Sequence, residues 1–366
     1  MGFSIRPIVG SMIAKQETGE STMSSQPLVL LGAPGSPYTR KMLAALRYRR
    51  IPYRLLVGSH RTPTDLPKPK PQLLPTFYFT GDDGSVEAVV DSTPLLRRFA
   101  RDYPERKLVP SDPAIAFLDY LLEDFADEWL TKAMFHYRWH FPRDADQAAE
   151  ILPRWSVKPM TEAALAPVKA FIKERQISRL YVVGSNDITA PVIEASFRRT
   201  LGAMKRHLEV HPFLMGARPG TSDFAAYGQL TQLARFDPTP TAITLAEAPR
   251  LFAWTEVLED LSGVEPSEAD WISRDAIPAT LRDLFVEMGR VYVPVMLANA
   301  KAVMQGAKKV ETEVDGLPWV QEPFPYQAKC VKWIGEEYAK LDGAARQVVS
   351  SVIAGTGCES LLTPAA

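Results

Sequence analysis

The chain has 366 residues, of which 46% are hydrophobic and 23% charged, and its formal net charge at pH 7 is -1. These values are ordinary for a globular protein, and the length suits two domains. The balanced charge gives no support to a nucleic-acid partner or to an acidic membrane surface. The two cysteines, Cys330 and Cys358, form neither a disulfide framework nor a zinc-type spacing, so a reducing cytoplasm is the expected location.

Residues 1–26 are predicted to be a flexible N-terminal tail. Their short apolar patch, from Ile5 to Ile13, contains a glycine and a proline and has no convincing cleavage site, so we predict no signal peptide. No apolar stretch in the sequence approaches the roughly 20 residues of a membrane span, and no membrane partner is expected.

The first strand and helix of the chain are predicted around a serine-proline pair. Leu28 to Leu31 is a short apolar run typical of a buried strand, and the turn Gly32–Gly35 follows it. Ser36 and Pro37 then begin a helix, because serine is a preferred N-cap and proline suits the first helical position. A hydroxyl at such a helix N-terminus is a suitable site for an anionic group, including a thiolate.

The next elements complete an α/β domain at residues 27–104. We predict a strand at 53–57, a proline-rich loop at 60–75, a hairpin with strands at 76–79 and 86–90, and a helix that begins at Asp91. The order is therefore βαβ, loop, ββα, with a right-handed crossover in the βαβ unit.

The rest of the chain is predicted to be an all-α domain at 111–345. Its first helix is long and continues to His140, with a buried stripe at spacings of three and four: Ile115, Leu118, Leu122, Phe125 and Trp129. Five acidic residues of this helix are predicted to lie on other faces: Asp119, Glu123, Asp124, Asp127 and Glu128.

Further helices are predicted at 161–178, 189–208, 221–233, 249–261, 277–308 and 324–341. Residues 142–188 form an insertion, which is expected to be irregular from Pro142 to Pro159. An extension begins after about residue 265, and residues 346–366 are predicted to be a C-terminal tail.

Four short motifs in this order of elements resemble the glutathione S-transferase family, whose first half is thioredoxin-like. Ser36-Pro37-Tyr38-Thr39 lies where glutaredoxins have Cys-Pro-Tyr-Cys and where many transferase classes have Ser, Cys or Tyr. Leu74-Pro75-Thr76 resembles the segment that holds the family's cis-proline.

The other two motifs begin helices. Asp91-Ser92 resembles the acid–serine pair that holds the γ-glutamyl end of glutathione. Residues 216–224 resemble the Ser/Thr-x-x-Asp start of a helix in the second domain. Aligned on Asp223, that motif has Gly220 where the family usually has a Ser or Thr N-cap, and glycine caps only slightly less well than serine.

The resemblance implies a thioredoxin-like glutathione-binding domain followed by a helical domain, with glutathione as co-substrate and no metal. Ser36 would donate a hydrogen bond to the glutathione thiolate, and the helix dipole would help to lower the thiol pKa. The alternative is that Ser36 only caps its helix. Tyr38 is an alternative donor to the thiolate.

The resemblance also assigns roles to the remaining motif residues. Leu74, before a cis Pro75, would pair strand-like with the cysteinyl part of glutathione, although a trans proline that merely ends the loop is the alternative. Asp91 and Ser92 would hold the γ-glutamyl ammonium and carboxylate groups, although Asp-Ser-Thr-Pro is also a good helix start by itself. Asp223 is expected to be structural.

Two further patterns limit the chemistry. Ser36 and Thr39 stand where a redox site needs cysteines, so disulfide exchange by the protein is not expected. The helical pairs His136/His140 and His207/His211 have metal-ligand spacing but no evident third ligand, so no metal site is predicted.

Three functions follow from the resemblance. The first is a transferase that conjugates glutathione to a small electrophile or displaces a group from it. The second is a fold-sharing protein that binds glutathione or a partner without turnover, since fold alone does not imply activity. The third is a glutathione-dependent lyase or isomerase. Homodimerisation is a further expectation of the family.

Overall fold

The computed structural model describes residues 27–62 and 64–362, so the predicted flexible tail at 1–26 lies outside the described residues. The N-terminal domain contains a four-stranded sheet with the order β2-β1-β3-β4. Its strands are β1 (Leu28–Gly32), β2 (Tyr53–Val57), β3 (Thr76–Thr80) and β4 (Val86–Val89). The pair β1–β2 is parallel and the other two pairs are antiparallel, which confirms the predicted thioredoxin-like arrangement.

Two helices complete this domain: α1 (Pro37–Tyr48) links β1 to β2, and α2 (Ser92–Asp102) follows β4. Helix α1 begins at the predicted serine-proline pair, where Ser36 Oγ accepts the Thr39 N–H at 3.2 Å. The apolar residues of α1 pack on the sheet around Leu30 and Phe77, and both of these side chains are fully buried.

The long helix after the linker is confirmed as a continuous helical run. It comprises α3 (Pro113–Phe125), a π-helical turn (Ala126–Leu130) and α4 (Thr131–His140). Asp112 begins it by accepting the N–H groups of Ala114 and Ile115 at 2.9 and 3.2 Å.

The faces of this helix that carry the five acidic residues are distinct from the predicted stripe, but they are buried as well. Asp119, Glu123, Asp124, Asp127 and Glu128 are each less than a tenth exposed. The helix at Thr221–Leu233 and two helices from the C-terminal part of the chain pack on α3, and Tyr38 and Lys41 of α1 hydrogen-bond to the π-helical turn. The acidic side chains therefore need partners inside the protein.

Eight further helices precede or surround the C-terminal hairpin: α5 (Pro142–Ile151), α6 (Glu162–Ile177), α7 (Ala190–His207), α8 (Thr221–Leu233), α9 (Pro238–Glu247), α10 (Pro249–Val257), α11 (Ala279–Glu287) and α12 (Val293–Met304). A π-helical turn, Met288–Tyr292, joins the last two. Helix α5 corrects the expectation that the chain from Pro142 is irregular. Pro142 is tolerated because it stands in the first helical turn, and Ala145 and Ala148 bury the helix against Trp139.

A β-hairpin corrects the prediction that the second domain is all-α. Strands β5 (Val310–Val314) and β6 (Leu317–Gln321) pair in antiparallel register. Asp315 and Gly316 form the two-residue turn, with φ values of 54° and 75°. Asp-Gly is a strong hairpin signal because such turns need positive φ at both positions. The second region is therefore largely helical, with one hairpin that buries Trp319 completely.

Two helices end the described chain, α13 (Pro325–Ala339) and α14 (Gly343–Ile353), followed by a 3-10 turn at Cys358–Leu361. The prediction of a tail from residue 346 is therefore wrong for its described part, because α14 buries Val349 and Ile353. Across residues 27–62 and 64–362, no helix combines the length and apolar character that crossing a bilayer requires.

Candidate functional site

The start of α1 and the loop before β3 meet at Ser36. The Ser36 hydroxyl donates to the Leu74 carbonyl oxygen at 3.3 Å while its oxygen accepts the Thr39 N–H at 3.2 Å. The Leu74–Pro75 peptide bond is cis, as predicted. The structure thus brings together Ser36, Leu74 and Pro75, and Ser36 accepts the capping bond while it still has a proton to donate.

Tyr38 points away from this junction. Its hydroxyl donates to the backbone carbonyl of Asp127 at 2.7 Å, in the contact between α1 and the π-helical turn of the long helix. Burial, with the nearby Glu128 and Asp127 carboxylates, raises the pKa of Tyr38 well above its ordinary value. Tyr38 joins the two domains, and its hydroxyl is not directed at the predicted thiol position.

Asp91 and Ser92 lie together at the start of α2, and both side chains have partners within the protein. Asp91 Oδ2 accepts the Tyr326 hydroxyl at 2.8 Å, and Ser92 Oγ accepts the Lys41 ammonium group at 3.2 Å. Asp91 has a φ of 84°, a left-handed backbone conformation that non-glycine residues seldom adopt. Burial raises the pKa of Asp91 above its ordinary value.

A buried ionic cluster lies directly behind this pair. The Lys41 Nζ atom lies 2.7 Å from Glu123 Oε1 and 2.6 Å from Asp127 Oδ2. The Thr93 hydroxyl also donates to Glu123 at 2.9 Å. Burial alone would lower the pKa of Lys41, but the Asp127 and Glu123 charges outweigh it, so the pKa is raised and Lys41 stays charged.

This cluster changes what the start of α2 can bind. The carboxylates of Glu123 and Asp127 accept from the Thr93 hydroxyl and so lie directly beside the Asp91-Ser92 pair. With Asp91 included, three carboxylates face one lysine. The excess negative charge at the start of α2 therefore favours the ammonium group of a ligand over a ligand carboxylate.

Sequence reasoning missed both Lys41 and Tyr326. The signal for Lys41 was the series of acidic residues on the long helix, including Glu123 and Asp127 four residues apart, because buried carboxylates need a cation. Tyr326 lies 235 residues from Asp91 in sequence, and no local pattern connects the two.

Asp223 is fully buried at the start of α8, and its surroundings explain the glycine at position 220. Asp223 accepts the N–H groups of Gly220 and Leu214 at 2.9 and 2.8 Å. Asp119 of α3 accepts from both the N–H and the hydroxyl of Thr221 and of Ser222, at 2.6 to 3.1 Å. A side chain at position 220 would collide with the Asp119 carboxylate, which supplies the helix cap in its place.

The insertion contacts the loop before Ser36. Leu152 and Trp155 pack so closely on Gly35 that a side chain there would collide with Leu152. Trp155 also lines an open depression of about 650 Å³ between the insertion and residues 235–236. The lining residues are Asp146, Gln147, Glu150, Ile151, Trp155, Arg235 and Phe236.

The histidine pairs are packed as structural residues. The rings of His136 and His140 stack with their centroids 4.6 Å apart, and those of His207 and His211 stack at 5.0 Å. Burial, with the neighbouring His140, lowers the pKa of His136 to about 3, so its ring is neutral. Among the residues that the structure describes, no three His, Cys, Asp or Glu side chains are grouped to hold a metal ion.

Comparisons with known proteins concern the first domain most directly. Residues 30–107 match the family model described as the glutathione S-transferase N-terminal domain. No curated protein matches the chain.

Several solved structures are similar at low identity. A Methylobacterium radiotolerans glutathione S-transferase in complex with glutathione sulfonate is 21% identical, and the match covers 68% of this chain and 95% of that one with a TM-score of 0.40. FzlA from C. crescentus is 18% identical, with 71% and 99% covered and a TM-score of 0.42. A Tau class glutathione S-transferase from mango is 18% identical, with 70% and 95% covered and a TM-score of 0.39.

The matched range begins within β1, before Ser36. It contains the whole ββα half of the first domain, including the cis Pro75 and the Asp91-Ser92 pair. Its strand order and the meeting of Ser36 with Leu74 agree with the motifs in the sequence. Residues 30–107 therefore match a glutathione S-transferase N-terminal domain in sequence, and their sheet has the thioredoxin-like strand order.

Proposed function

We propose that this chain binds glutathione where α1 meets the loop before β3, and that it activates the thiol for reaction with a small electrophile in a reducing cytoplasm. The observation that supports this proposal is the 3.3 Å hydrogen bond from the Ser36 hydroxyl to the Leu74 carbonyl. This bond brings the Ser36 hydroxyl, at the N-terminus of α1, next to the backbone of Leu74, which is suited to pairing with an extended peptide.

In the proposed complex, the backbone of Leu74 pairs with the cysteinyl residue of glutathione, and the Ser36 proton turns from the Leu74 carbonyl to the sulfur. The Ser36 oxygen keeps accepting the Thr39 N–H, so the capping role and the activating role are compatible. The hydroxyl and the helix dipole together lower the thiol pKa from its free value of about 8.5 to 9. The thiolate then attacks the electrophile.

At the γ-glutamyl end, we propose that Asp91 binds the ammonium group. Ser92 Oγ accepts from Lys41 and keeps its own proton for the ligand carboxylate, but Lys41 is neutralised by Glu123 and Asp127 and adds little positive charge there. Recognition at this end therefore depends mainly on charge pairing between Asp91 and the ligand ammonium.

A cysteine at position 36 tests the location of the thiol. We expect the variant Ser36→Cys to react with glutathione disulfide: its thiolate attacks one sulfur, forms the mixed disulfide and releases one glutathione thiolate. Reaction at about pH 6 should be at least about tenfold faster than for an ordinary exposed thiol, because the helix N-terminus lowers the cysteine pKa. Mass spectrometry would detect one added glutathionyl group.

The variant Ser85→Cys is the matched control, since Ser85 is exposed in the turn between β3 and β4. The two natural cysteines are buried and should not react in either variant. Equal rates for the two variants would contradict a glutathione site at Ser36.

Removing the Ser36 hydroxyl tests activation. We expect Ser36→Ala to raise the pKa of bound glutathione by about 1 to 2, since a hydrogen bond to a charged group contributes about 1.5 to 3 kcal/mol. Ser36→Thr, which keeps a hydroxyl, should change the pKa less. The measurement is ultraviolet titration of the thiolate in the complex, after isothermal titration has established binding.

Two results would contradict this scheme. If glutathione at millimolar concentration does not bind to the unaltered protein, the site is wrong. If binding persists in Ser36→Ala with an unchanged thiol pKa, then Ser36 only caps its helix.

A second candidate, binding without turnover, is favoured by one specific observation. Three polar side chains of the predicted site already have partners in the chain: Tyr38 with Asp127, Asp91 with Tyr326, and Ser92 with Lys41. Glutathione binding without any fall in thiol pKa would support this function over the transferase.

A further inference from the structure

The hydroxyl of Tyr326, in the first turn of α13, reaches back to the N-terminal domain. It donates to Asp91 Oδ2 at 2.8 Å, which connects the C-terminal extension to the start of α2. Burial and the Asp91 charge raise the pKa of Tyr326, so its phenol stays protonated and remains a donor.

The position of Tyr326 is fixed by its neighbours. The Asn299 side chain of α12 is fully buried, donates to the Phe324 carbonyl at 2.9 Å and accepts the Phe324 N–H at 2.7 Å. The Tyr326 ring also packs against Phe324 and Trp333, with centroids 6.2 and 6.0 Å away. The two aromatic contacts of the ring and the hydrogen bonds between buried Asn299 and the Phe324 backbone therefore fix the hydroxyl next to Asp91.

The residue that follows strengthens this contact. Gln327 donates to Glu128 Oε2 at 3.0 Å and lies 3.5 Å from the Lys132 ammonium group through its oxygen. Helix α13 is thus attached to the long helix through buried polar groups immediately beside Tyr326.

Asp91 occupies a position that needs such support. Burial raises its pKa above the ordinary value, whereas the Tyr326 hydrogen bond and the Lys41 charge act in the opposite direction. Its positive φ is a conformation that persists only where surrounding contacts determine it. The charged and titratable groups that face it are Lys41 of α1, Glu123 and Asp127 of the long helix, and Tyr326 and Cys330 of α13.

We propose that Tyr326 is a positioning residue for the ammonium-binding side of the site: its hydroxyl orients the Asp91 carboxylate for the free α-ammonium group of a γ-glutamyl thiol. This inference rests on the proposed function and deepens it. The preferred ligand class is a thiol peptide with an unblocked γ-glutamyl amino group. Asp91 Oδ2 accepts the hydrogen bond from the phenol, and the remaining lone pairs of the carboxylate accept hydrogen bonds from the ammonium group.

Two probes separate recognition of the ammonium group from recognition of the rest of the ligand. They are glutathione and glutaryl-cysteinylglycine, which lacks only the amino group. By isothermal titration, we expect Tyr326→Phe to reduce the preference for glutathione over the analogue by about tenfold, within the range for hydrogen bonds to charged groups. The matched control is Tyr338→Phe, which removes a hydroxyl on the same helix that contacts only Ser350 among the described residues.

The pH profile gives a readout that a merely structural role would not move. Binding of the ammonium group requires ionised Asp91, so affinity falls when Asp91 is protonated at low pH. Loss of the Tyr326 donor raises the pKa of Asp91, and the acidic limb of glutathione binding should move to higher pH in Tyr326→Phe. Carbon-13 NMR of the Asp91 carboxyl group in the protein without ligand should show the same rise.

The outcomes distinguish this inference from the proposed function. If Tyr326→Phe still binds glutathione with unchanged preference, unchanged pH profile and unchanged Asp91 pKa, the role of Tyr326 is overturned and the glutathione site stands. If the unaltered protein binds neither probe, the proposed function is overturned, and the ligand role of Tyr326 falls with it.

Discussion

Replacing Lys41 with methionine is expected to lower the free energy of unfolding by about 3 to 5 kcal/mol, the usual loss when one partner of a buried ion pair is removed. Lys41 is 1% exposed and neutralises both Glu123 and Asp127, which are themselves buried. Methionine fills a similar volume, so the loss would come mainly from two carboxylates left without a cation. Urea unfolding at pH 7, followed by circular dichroism, measures it.

Two comparisons make this prediction specific. Lys332→Met removes an exposed partner of Glu336, and its effect should stay below about 1 kcal/mol because exposed ion pairs contribute little. The triple variant Lys41→Met, Glu123→Gln, Asp127→Asn removes the unpaired charges and should recover part of the loss. A loss for Lys41→Met no larger than that for Lys332→Met would show that the cluster is not a buried ionic contact.

Asp119 and Gly220 are expected to behave as one unit in a double-mutant cycle. Asp119→Ala should destabilise the protein by about 3 kcal/mol or more, since it removes the acceptor of four buried hydrogen bonds from Thr221 and Ser222. Gly220→Ser alone should also destabilise it, because its side chain would collide with the Asp119 carboxylate.

The double variant should be more stable than the sum of the two single losses predicts. Gly220 has an extended backbone, with φ at -96° and ψ at -175°, which a serine adopts without strain. With the carboxylate gone, the serine hydroxyl has room to cap α8, and caps contribute about 1 kcal/mol. Strictly additive effects in urea unfolding would contradict this account of the missing N-cap residue.

Much of the N-terminal domain could be predicted because its signals are local. A serine-proline pair begins α1, an apolar run forms β1, and a glycine-bounded turn joins β3 to β4. Each of these depends on residues a few positions apart, and the strand order then follows from connections that are short and right-handed.

The parts that were missed depend on partners distant in sequence or on weak local patterns. The contact between Tyr326 and Asp91 joins two separate regions, and no periodicity encodes it. The hairpin at β5 and β6 did carry an Asp-Gly turn, but Glu311 and Glu313 make its first strand look solvent-exposed. Helix α14 begins at an Asp342 cap, but the helix is short and rich in small residues, so its sequence pattern is weak.

The ionic cluster at Lys41 also determines how the molecule comes apart. It joins α1 and the start of α2 to the long helix of the second domain through buried charges, each of which would be costly to bury without its partner. We therefore expect the two domains not to fold independently. The whole chain should melt in one cooperative transition, and a fragment cut at the linker would expose Lys41 and the apolar face of α1 to water.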